Sequence, residues 1–304
     1  MAHSKPPWLK VKAPGGPRYN RIKARARDLG LHTVCEEARC PNIGECWEGG
    51  TATFMVMGGV CTRGCRFCAV DTSRHGMPLD PAEPANVARA IQEMELDYVV
   101  VTSVDRDDLA DQGAQHFAEC IRSIKALNPT TMVEVLIPDF RGHLGLVEVV
   151  SEARPEVIAH NVETVERLQS RVRDPRANYR QSLSVIEAVK KLHPDNHSKS
   201  SLMVGLGETE DEMIAAMKDL RAVGCDFLTV GQYLQPTQKY LPVVEFVTPD
   251  QFDRYRDIGL ELGFHYVASG ALVRSSYKAG EFFIRDFLRR KVQSYARREL
   301  QVAE

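Results

Sequence analysis

The sequence of 304 residues predicts an α/β fold in which helices cover a parallel sheet. Two observations predict it. Short apolar runs alternate along the chain with helix-length amphipathic stretches, and the runs are too uniformly apolar for strands with one wet face. Residues capable of chemistry follow several of these runs directly, and in such folds sites gather beyond the carboxyl ends of the strands. Because six strand–helix units are fewer than the eight of a complete barrel, we expect a partial (βα)6 TIM-like barrel, with a doubly wound sheet as the alternative.

The expected elements follow from the periodicity of the apolar residues. Strands are expected at Thr53–Met57, Tyr98–Val104, Met132–Ile137, Val157–Asn161, Ser201–Leu206 and Phe227–Tyr233. Helices are expected around Ala85–Met94, Ala114–Leu127, Leu146–Ala153, Thr164–Val172, Tyr179–Leu192 and Glu210–Ala222. The strands are short and rich in β-branched residues, whereas the helices repeat apolar positions three and four residues apart. Asp105, Asn161 and Glu208 then fall at or just after strand ends, on one rim of the sheet.

The bulk composition excludes some classes of protein. A hydrophobic content of 43% supports one large core, and a formal charge of −2 gives no general attraction to nucleic acid. No apolar run is long enough for a transmembrane helix, and no secretory signal precedes the cysteines. The N-terminal stretch before Asp28 is basic, which leaves an organelle transit peptide open. We expect no nucleic-acid partner, no membrane partner and a cytoplasmic location.

Eight cysteines without an export signal indicate a reducing compartment, so disulfide bonds are not expected. Six of them form two triplets, Cys35/Cys40/Cys46 and Cys61/Cys65/Cys68. Three thiolates can hold an iron–sulfur cubane and leave one iron open to another ligand. A structural zinc site is the alternative for the second triplet, but it needs a fourth ligand and typically a second CxxC pair. Cys120 and Cys225 fall at predicted core positions and are interpreted as packing residues.

The spacing Cys61-x3-Cys65-x2-Cys68, with Phe67 before the last cysteine, resembles the signature of the radical S-adenosylmethionine superfamily. The resemblance implies a [4Fe–4S] cluster on these three thiolates and S-adenosylmethionine on the fourth iron. It also implies that an electron from the cluster cleaves the sulfonium and yields a 5′-deoxyadenosyl radical. Such a radical abstracts hydrogen from an unactivated C–H bond.

Four polar residues on the same rim are the expected contacts of S-adenosylmethionine: Asn161, Arg171, Glu208 and Gln232. In the superfamily a Gly-Glu pair after a strand contacts the methionine ammonium, and a buried carboxylate suits that charge. An arginine can hold a carboxylate bidentately, although a solvated helix charge is an equal alternative for Arg171. Thr209 and Glu212 are assigned instead to a capping box before the next helix.

Cys35-x4-Cys40-x5-Cys46 resembles the auxiliary-cluster motif of the lipoyl synthase family, whose fourth ligand is a serine in a C-terminal Arg-Ser-Ser-Tyr motif. This chain carries that motif at 274–277, and the likeness extends through 35–42, 160–164 and 231–237. The resemblance favours Ser276 as the ligand, with helix capping by the serines as the alternative. It implies a second [4Fe–4S] cluster that gives its sulfides to the substrate. Catalytic roles then fall to Cys61, Cys65, Cys68 and Ser276.

The family resemblance implies a sulfurtransferase that inserts sulfur at C6 and C8 of an octanoyl chain on a lysine of a lipoyl carrier protein. Expected partners are the glycine cleavage H protein or an E2 lipoyl domain as carrier, ferredoxin or flavodoxin as electron donor, and an iron–sulfur carrier that rebuilds the auxiliary cluster. The basic N-terminal arm and a basic C-terminal helix either dock the acidic carrier or are simply solvated. The alternatives are an enzyme like biotin synthase and a two-cluster electron-transfer protein.

Three regions are expected along the chain. Residues 1–50 form a cluster-binding extension with the auxiliary cysteines, residues 51–270 form the barrel, and residues 271–304 form a C-terminal extension that ends in a helical tail.

Overall fold

An eight-stranded sheet organises the protein, for which a computed structural model describes residues 6–11, 13–38, 40–48, 51–194 and 196–277. Its strands are β1 (His32–Thr33), β2 (Thr53–Val56), β5 (Tyr98–Ser103), β6 (Met132–Leu136), β7 (Val157–Ala159), β8 (His197–Val204), β9 (Phe227–Gln232) and β10 (Tyr266–Gly270). A separate two-stranded sheet pairs β3 (Val60–Cys61) with β4 (Asp71–Thr72). All six predicted strands are therefore confirmed, and β1 and β10 were not predicted.

The strand order distinguishes the two expected architectures. Within the eight-stranded sheet, β2 pairs in parallel with β5, and each later strand up to β9 pairs in parallel with the one that follows it in sequence. Strand β1 adds antiparallel to β2. A doubly wound sheet reverses its strand order at a switch point, and this sheet never does. The partial barrel is confirmed, and among the described residues β1 and β10 do not pair, so the sheet is open between them.

Helices cover the outer face of the sheet. They are α1 (Pro17–Asp28), α2 (Val34–Glu37), α3 (Ile43–Glu48), α4 (Glu83–Glu93), α5 (Ala114–Leu127), α6 (Leu144–Ser151), α7 (Gln169–Val172), α8 (Tyr179–Leu192), α9 (Glu210–Ala222) and α10 (Pro249–Glu261). The bounds of α5, α8 and α9 agree with the prediction at both ends. Side-chain caps explain two of the starts: Asn178 accepts from the Gln181 amide, and Thr209 and Glu212 form the expected capping box.

Alternate residues of each strand face opposite sides of the sheet. One set packs against the helices, whereas Tyr98, Val100, Val157 and Phe227 form a separate apolar cluster inside the barrel. Farther along the same inner face lies a charged pair, in which Lys199 Nζ contacts Glu134 Oε1 at 2.7 Å with both side chains fully buried. This pairing explains why β8 starts earlier than the apolar pattern predicts: its first residues are polar and internally neutralised.

The N-terminal extension packs against the barrel through α1 and α3. The Tyr19 ring lies 5.2 Å from that of Trp47, a fully buried side chain in the larger core cluster. After β10 the chain returns to this extension over residues 271–277. The predicted C-terminal helical tail lies outside the described residues. Within the described residues, no helix combines the length and apolar character needed to cross a membrane.

Candidate active site

The loop that carries Cys61, Cys65 and Cys68 begins at the carboxyl end of β2 and is tied to neighbouring strands. The Thr62 amide donates to the Asp105 carbonyl at 2.9 Å, just beyond β5. The Arg66 amide donates to the Val172 carbonyl at 2.9 Å, at the end of α7. The loop therefore lies at the rim where the strands end, as predicted.

Backbone amides point at two of the three sulfurs. The Arg63 amide donates to Cys61 Sγ at 3.4 Å, and the Asp174 amide donates to Cys65 Sγ at 3.3 Å. Such N–H···S contacts stabilise negative charge on a thiolate and on a cluster. The cysteine loop and the segment at Asp174 are also joined by a further hydrogen bond, in which the Gly64 amide donates to Asp174 Oδ2 at 2.8 Å.

Burial makes these cysteines poor acids as free thiols. It raises the pKa of Cys61 and of Cys65 to about 12 and that of Cys68 to about 11, and the Asp105 carboxylate adds to each shift. Asp105 itself lies 3.7 Å from Cys61 Sγ, and burial raises its pKa to about 6 against the opposing effect of Arg63. A bound iron cluster supplies the positive charge that replaces these protons.

A buried arginine holds the loop against the barrel. The Arg63 guanidinium binds Asp107 bidentately at 2.8 and 2.9 Å and contacts Asp139 at 2.7 Å and Asp105 at 3.3 Å. Arg176 adds a contact of 3.0 Å to Asp107 from the outside. Because these carboxylates follow β5 and β6, the pairs fix the cluster loop relative to the strand ends.

The spacing of the sulfurs bears on the zinc alternative. A tetrahedral zinc ion with Zn–S bonds of about 2.3 Å keeps its sulfurs roughly 3.8 Å apart. Among the described residues, the groups whose ligand atoms all lie within 4.8 Å of one another are Glu83/His116/Cys120 and His197/Asp226/His265, and neither cysteine triplet is one of them. Neither triplet therefore has the spacing of a closed zinc site in this structure.

Two predicted cofactor residues, Asn161 and Glu208, lie just beyond the ends of β7 and β8. Asn161 follows β7 and donates to Glu163 Oε1 at 3.1 Å, while its own Oδ1 is buried without a hydrogen-bond partner. Glu208 turns back to accept from the amides of Gly205 and Leu206 at 2.5 and 2.9 Å, and burial raises its pKa.

The other two predicted cofactor residues are oriented differently. Arg171 is exposed on the outside of α7, where its carbonyl accepts from Arg66. Gln232 is buried, and its amide group is used internally: Nε2 donates to the carbonyls of Val204, Tyr233 and Glu245, and Oε1 accepts from Val247. Gln232 therefore organises the loop before α10, and its role towards the cofactor stays a prediction, as does that of Arg171.

Glu163 was not predicted to contact the cofactor, and of two arginines in one stretch the prediction chose Arg171 over Arg173. Glu163 is partly buried, has a left-handed φ of 70° and lies near Cys68, and burial raises its pKa while Arg173 opposes the shift. Non-glycine residues in that region concentrate at functional sites. Arg173 is buried and donates Nη1 to Ser182 Oγ at 2.7 Å. The sequence signal for Glu163 was its position two residues after Asn161, just beyond β7. For Arg173 the signal was an arginine-rich stretch in which spacing alone does not distinguish it from Arg171.

The first triplet is built by short helices of the N-terminal extension. Cys35 lies on α2 and Cys46 on α3, both buried, and Cys40 lies between them. The turn is closed by the Cys40 amide, which donates to the Cys35 carbonyl at 3.1 Å, and by the Cys46 amide, which donates to the Asn42 carbonyl at 2.9 Å. Local hydrogen bonds thus bring the three cysteines to one side of this extension.

The C-terminal segment 271–277 reaches this triplet from the far end of the chain. Asn42 Nδ2 donates to the Leu272 carbonyl at 2.6 Å, and the Tyr277 hydroxyl donates to Glu45 Oε2 at 3.3 Å. Ser276 Oγ accepts from Thr53 Oγ1 at 3.0 Å. Burial lowers the pKa of Arg274, and the nearby Cys40 opposes that shift. Helix capping by Ser275 or Ser276 concerns the helical tail predicted from the sequence, and that part of the chain lies outside the described residues.

Comparison with known proteins agrees with this geometry. Residues 55–220 match the family model of the radical SAM superfamily, and residues 2–40 match that of the N-terminal domain of lipoyl synthase of the radical SAM family. The mitochondrial lipoyl synthase of Rattus norvegicus is 58% identical over 291 residues, which cover 94% of this chain and 78% of the relative. The chain belongs to the lipoyl synthase family. The mitochondrial lipoyl synthases of Homo sapiens and Arabidopsis thaliana are 57% and 56% identical over 94% and 93% of this chain and 78% of each relative.

Membership of the lipoyl synthase family confirms the predicted activity. The enzyme is a sulfurtransferase that inserts sulfur at C6 and C8 of a carrier-bound octanoyl chain, with S-adenosylmethionine and [4Fe–4S] clusters as cofactors. The expected cytoplasmic location is wrong, because the lipoyl synthases it resembles are named as mitochondrial, which points to the mitochondrion.

Solved structures share the fold of this lipoyl synthase. A maturase of the [FeFe]-hydrogenase aligns with a TM-score of 0.56 at 14% identity over 86% of this chain and 57% of that chain. Methylornithine synthase aligns with a TM-score of 0.52 at 13% identity over 86% and 84% of the two chains. At this identity the likeness concerns the fold alone, and it agrees with a partial barrel.

Proposed function

We propose that the two cysteine triplets divide the reaction between them. Cys61, Cys65 and Cys68 bind the cluster that receives S-adenosylmethionine, and Cys35, Cys40, Cys46 and Ser276 bind the cluster that is consumed. The observation that supports this division is the return of segment 271–277 to the N-terminal extension, where neighbours of Ser276 bond to Asn42 and Glu45, close in sequence to Cys40 and Cys46. When bound, the two clusters supply an electron for cofactor cleavage at one site and sulfide at the other.

The chain's own groups fit the charges of the cofactor's methionine end. Arg173 is a buried guanidinium and suits its carboxylate, whereas the partly buried carboxylates of Glu163 and Glu208 suit its ammonium. The unpartnered Oδ1 of Asn161 can accept a further hydrogen bond. We keep Arg171 and Gln232 as weaker assignments, because one is exposed and the other is internally bonded.

Ser276 is suited to a cluster that must be opened. Its oxygen accepts a hydrogen bond from Thr53, which draws electron density away from it and makes it a weaker ligand than a thiolate. Segment 271–277 also covers the triplet, because Tyr277 packs against the core cluster that contains Cys35 and Cys46.

The partners follow from the reaction. We propose an octanoylated H protein or E2 lipoyl domain as substrate, ferredoxin or flavodoxin as electron donor, and an iron–sulfur carrier for rebuilding. Helix α1 offers a basic surface for an acidic carrier, with Arg21 and Arg27 exposed. The three regions 1–50, 51–270 and 271–304 remain the proposed domain division.

Alanine variants of the two triplets test the division of labour. Cys40→Ala should abolish dithiolane formation on an octanoylated peptide but retain reductive cleavage of S-adenosylmethionine, because only the consumed cluster is lost. Cys65→Ala should abolish both. Product and 5′-deoxyadenosine are measured by mass spectrometry after anaerobic reconstitution, with iron and sulfide content determined on the same samples. Cys120→Ala, a buried cysteine outside both triplets, is the matched control and should keep both activities. If Cys40→Ala and Cys65→Ala behave alike, the proposed division is wrong.

A further inference from the structure

A pocket lies on the outer side of the loop that carries Cys61, Cys65 and Cys68. Its lining residues come from that loop, from β4 and the residues after it, and from the segment after α7: Thr62, Arg63, Gly64, Thr72, Ser73, Arg74 and Arg176. Arg63 is buried among carboxylates, whereas Arg74 and Arg176 are exposed. The accessible charge at the pocket is therefore positive.

The positive charge extends beyond the pocket. Arg66 and Arg171 are exposed next to each other, since Arg66 Nη1 donates to the Arg171 carbonyl at 3.4 Å. In the described part of the chain, Arg66, Arg74 and Arg171 take part in no ion pair, and Arg176 is paired with Asp107 and Asp174. We call Arg66, Arg74, Arg171 and Arg176 the basic face. It is a local feature, because the chain as a whole carries −2.

The basic face adjoins the residues between the cluster ligands. Cys61 Sγ lies 3.7 Å from Asp105 and Cys65 Sγ accepts from the Asp174 amide, and the pocket is lined by the intervening residues Thr62 and Gly64. Gly64 is exposed, and a Cβ built there meets no atom within 4 Å. A protein placed on the basic face would therefore contact the loop that carries the cluster ligands.

We propose that the basic face docks the protein that reduces the radical-generating cluster, and that this partner is an acidic one-electron carrier. The inference rests on the proposed function, in which Cys61, Cys65 and Cys68 bind that cluster. One electron passes from the reduced carrier to the cluster, and the carrier leaves oxidised by one electron, with no bond made or broken. Opposite charges speed such encounters and orient the partners.

The same reasoning favours an electron carrier over the acyl-carrier substrate on this face. An octanoyl chain has to reach the side of the loop where the sulfurs and the cofactor residues lie. The basic face adjoins Thr62 and Gly64, and across the backbone of such a loop an electron can pass whereas an acyl chain cannot.

Charge reversal at Arg74 tests the proposal in the cluster-loaded enzyme. Arg74→Glu should raise the Kd for flavodoxin about tenfold at low salt, because the charge at this position now repels the carrier. The Kd is measured by isothermal titration. The rate at which photoreduced flavodoxin reduces the cluster, followed by absorbance, should fall similarly. The rate with dithionite should stay unchanged, since a small reductant needs no docking surface. The effect on Kd should shrink as salt is raised.

The matched control is Arg122→Glu, which makes the same charge change at an exposed position of α5. It should leave the Kd and both reduction rates unchanged. If Arg74→Glu keeps the Kd and the flavodoxin rate, or if Arg122→Glu weakens them equally, the docking face is wrong. If the wild-type enzyme fails to cleave S-adenosylmethionine even with dithionite, the proposed function fails instead, so the two failures are distinguishable.

Discussion

At the residue scale, one hydroxyl distinguishes the two triplets. Ser276 lies against Thr53, and neighbouring residues of its segment bond to Asn42 and Glu45 between and beside the cysteines of the first triplet. The charged groups near the second triplet are instead the carboxylates of Asp105 and Glu163 and the guanidinium of Arg173. The first environment suits an internal ligand and the second suits a charged small molecule.

Replacement of Ser276 by alanine removes the proposed fourth ligand. We expect Ser276→Ala to lower sulfur insertion by about tenfold or more, as loss of a group that supports a metal site does. Cleavage of S-adenosylmethionine should be retained, because the second triplet is intact. Dithiolane product, 5′-deoxyadenosine and bound iron are the measurements. Ser275→Ala is the control, and a larger loss in that variant would assign the ligand to the other serine.

At the scale of elements, β9 and segment 271–277 are in close contact. Gly231, near the end of β9, has no room for a side chain, because a Cβ built there would collide with the backbone carbonyl of Val273. The glycine thus allows the segment to cross the end of the strand on its way to the N-terminal extension.

Gly231→Ala should therefore displace segment 271–277 and with it Ser276. We expect sulfur insertion and the iron content of the first triplet to fall, while cleavage of S-adenosylmethionine and the far-ultraviolet circular dichroism stay near wild type. Gly145→Ala is the matched control, since a Cβ on this glycine of α6 meets no atom within 4 Å. Equal behaviour of the two variants would mean that the contact at Gly231 does not position the segment.

The elements also show how much the sequence could predict. The pattern located β2 and β5–β9 because their apolar runs are long, and it located α5, α8 and α9 because period and caps agree there. It missed β10, whose small and polar residues Ala268, Ser269 and Gly270 give no apolar run, and α10, which is mostly polar. Strand β10 joins the sheet by pairing with β9, and α10 packs mainly on β10, and no local pattern reports either contact.

The candidate site was predicted in the same uneven way. The cysteines and Ser276 were predicted as ligands because their spacings resemble a family motif, and their roles stay a prediction. Gln232 lies at a strand end as predicted, but its amide group donates to loop carbonyls. Arg171 is exposed and Arg173 is buried, although they are two residues apart. Which polar residue at a strand end faces a ligand depends on how loops pack, and spacing along the chain carries little of that information.

At the scale of the whole molecule, a buried chain of hydrogen bonds, called here the relay, connects Arg173 near the site to the end of β6. Arg173 donates to Ser182 Oγ, which lies 2.9 Å from His160 Nε2, and His160 Nδ1 lies 2.9 Å from the Ile137 carbonyl. Donation from Nδ1 to that carbonyl leaves Nε2 as the acceptor, so the relay needs a neutral imidazole. Burial, and then the charge of Arg173, lowers the pKa of His160 from 6.5 to about 4.

This relay predicts a pH dependence of global stability. Since the pKa of His160 is lower in the folded than in the unfolded state, the unfolded state binds more protons between the two values. His160 therefore contributes stability that is complete above pH 6.5 and is lost as the pH falls towards about 4. Urea unfolding midpoints at about pH 7 and about pH 5 should differ less in His160→Gln than in the wild type, because glutamine does not titrate. An equal difference in the two proteins would contradict the assignment.

The meeting of segment 271–277 with the N-terminal extension also sets an order of events during biosynthesis. The three cysteines of the first triplet leave the ribosome before the barrel strands, whereas the hydroxyl proposed to complete their site follows those strands. A polypeptide that stops before residue 276 would lack that ligand and could not complete the consumable cluster. Loading of that cluster therefore has to wait until the chain has been made through residue 276.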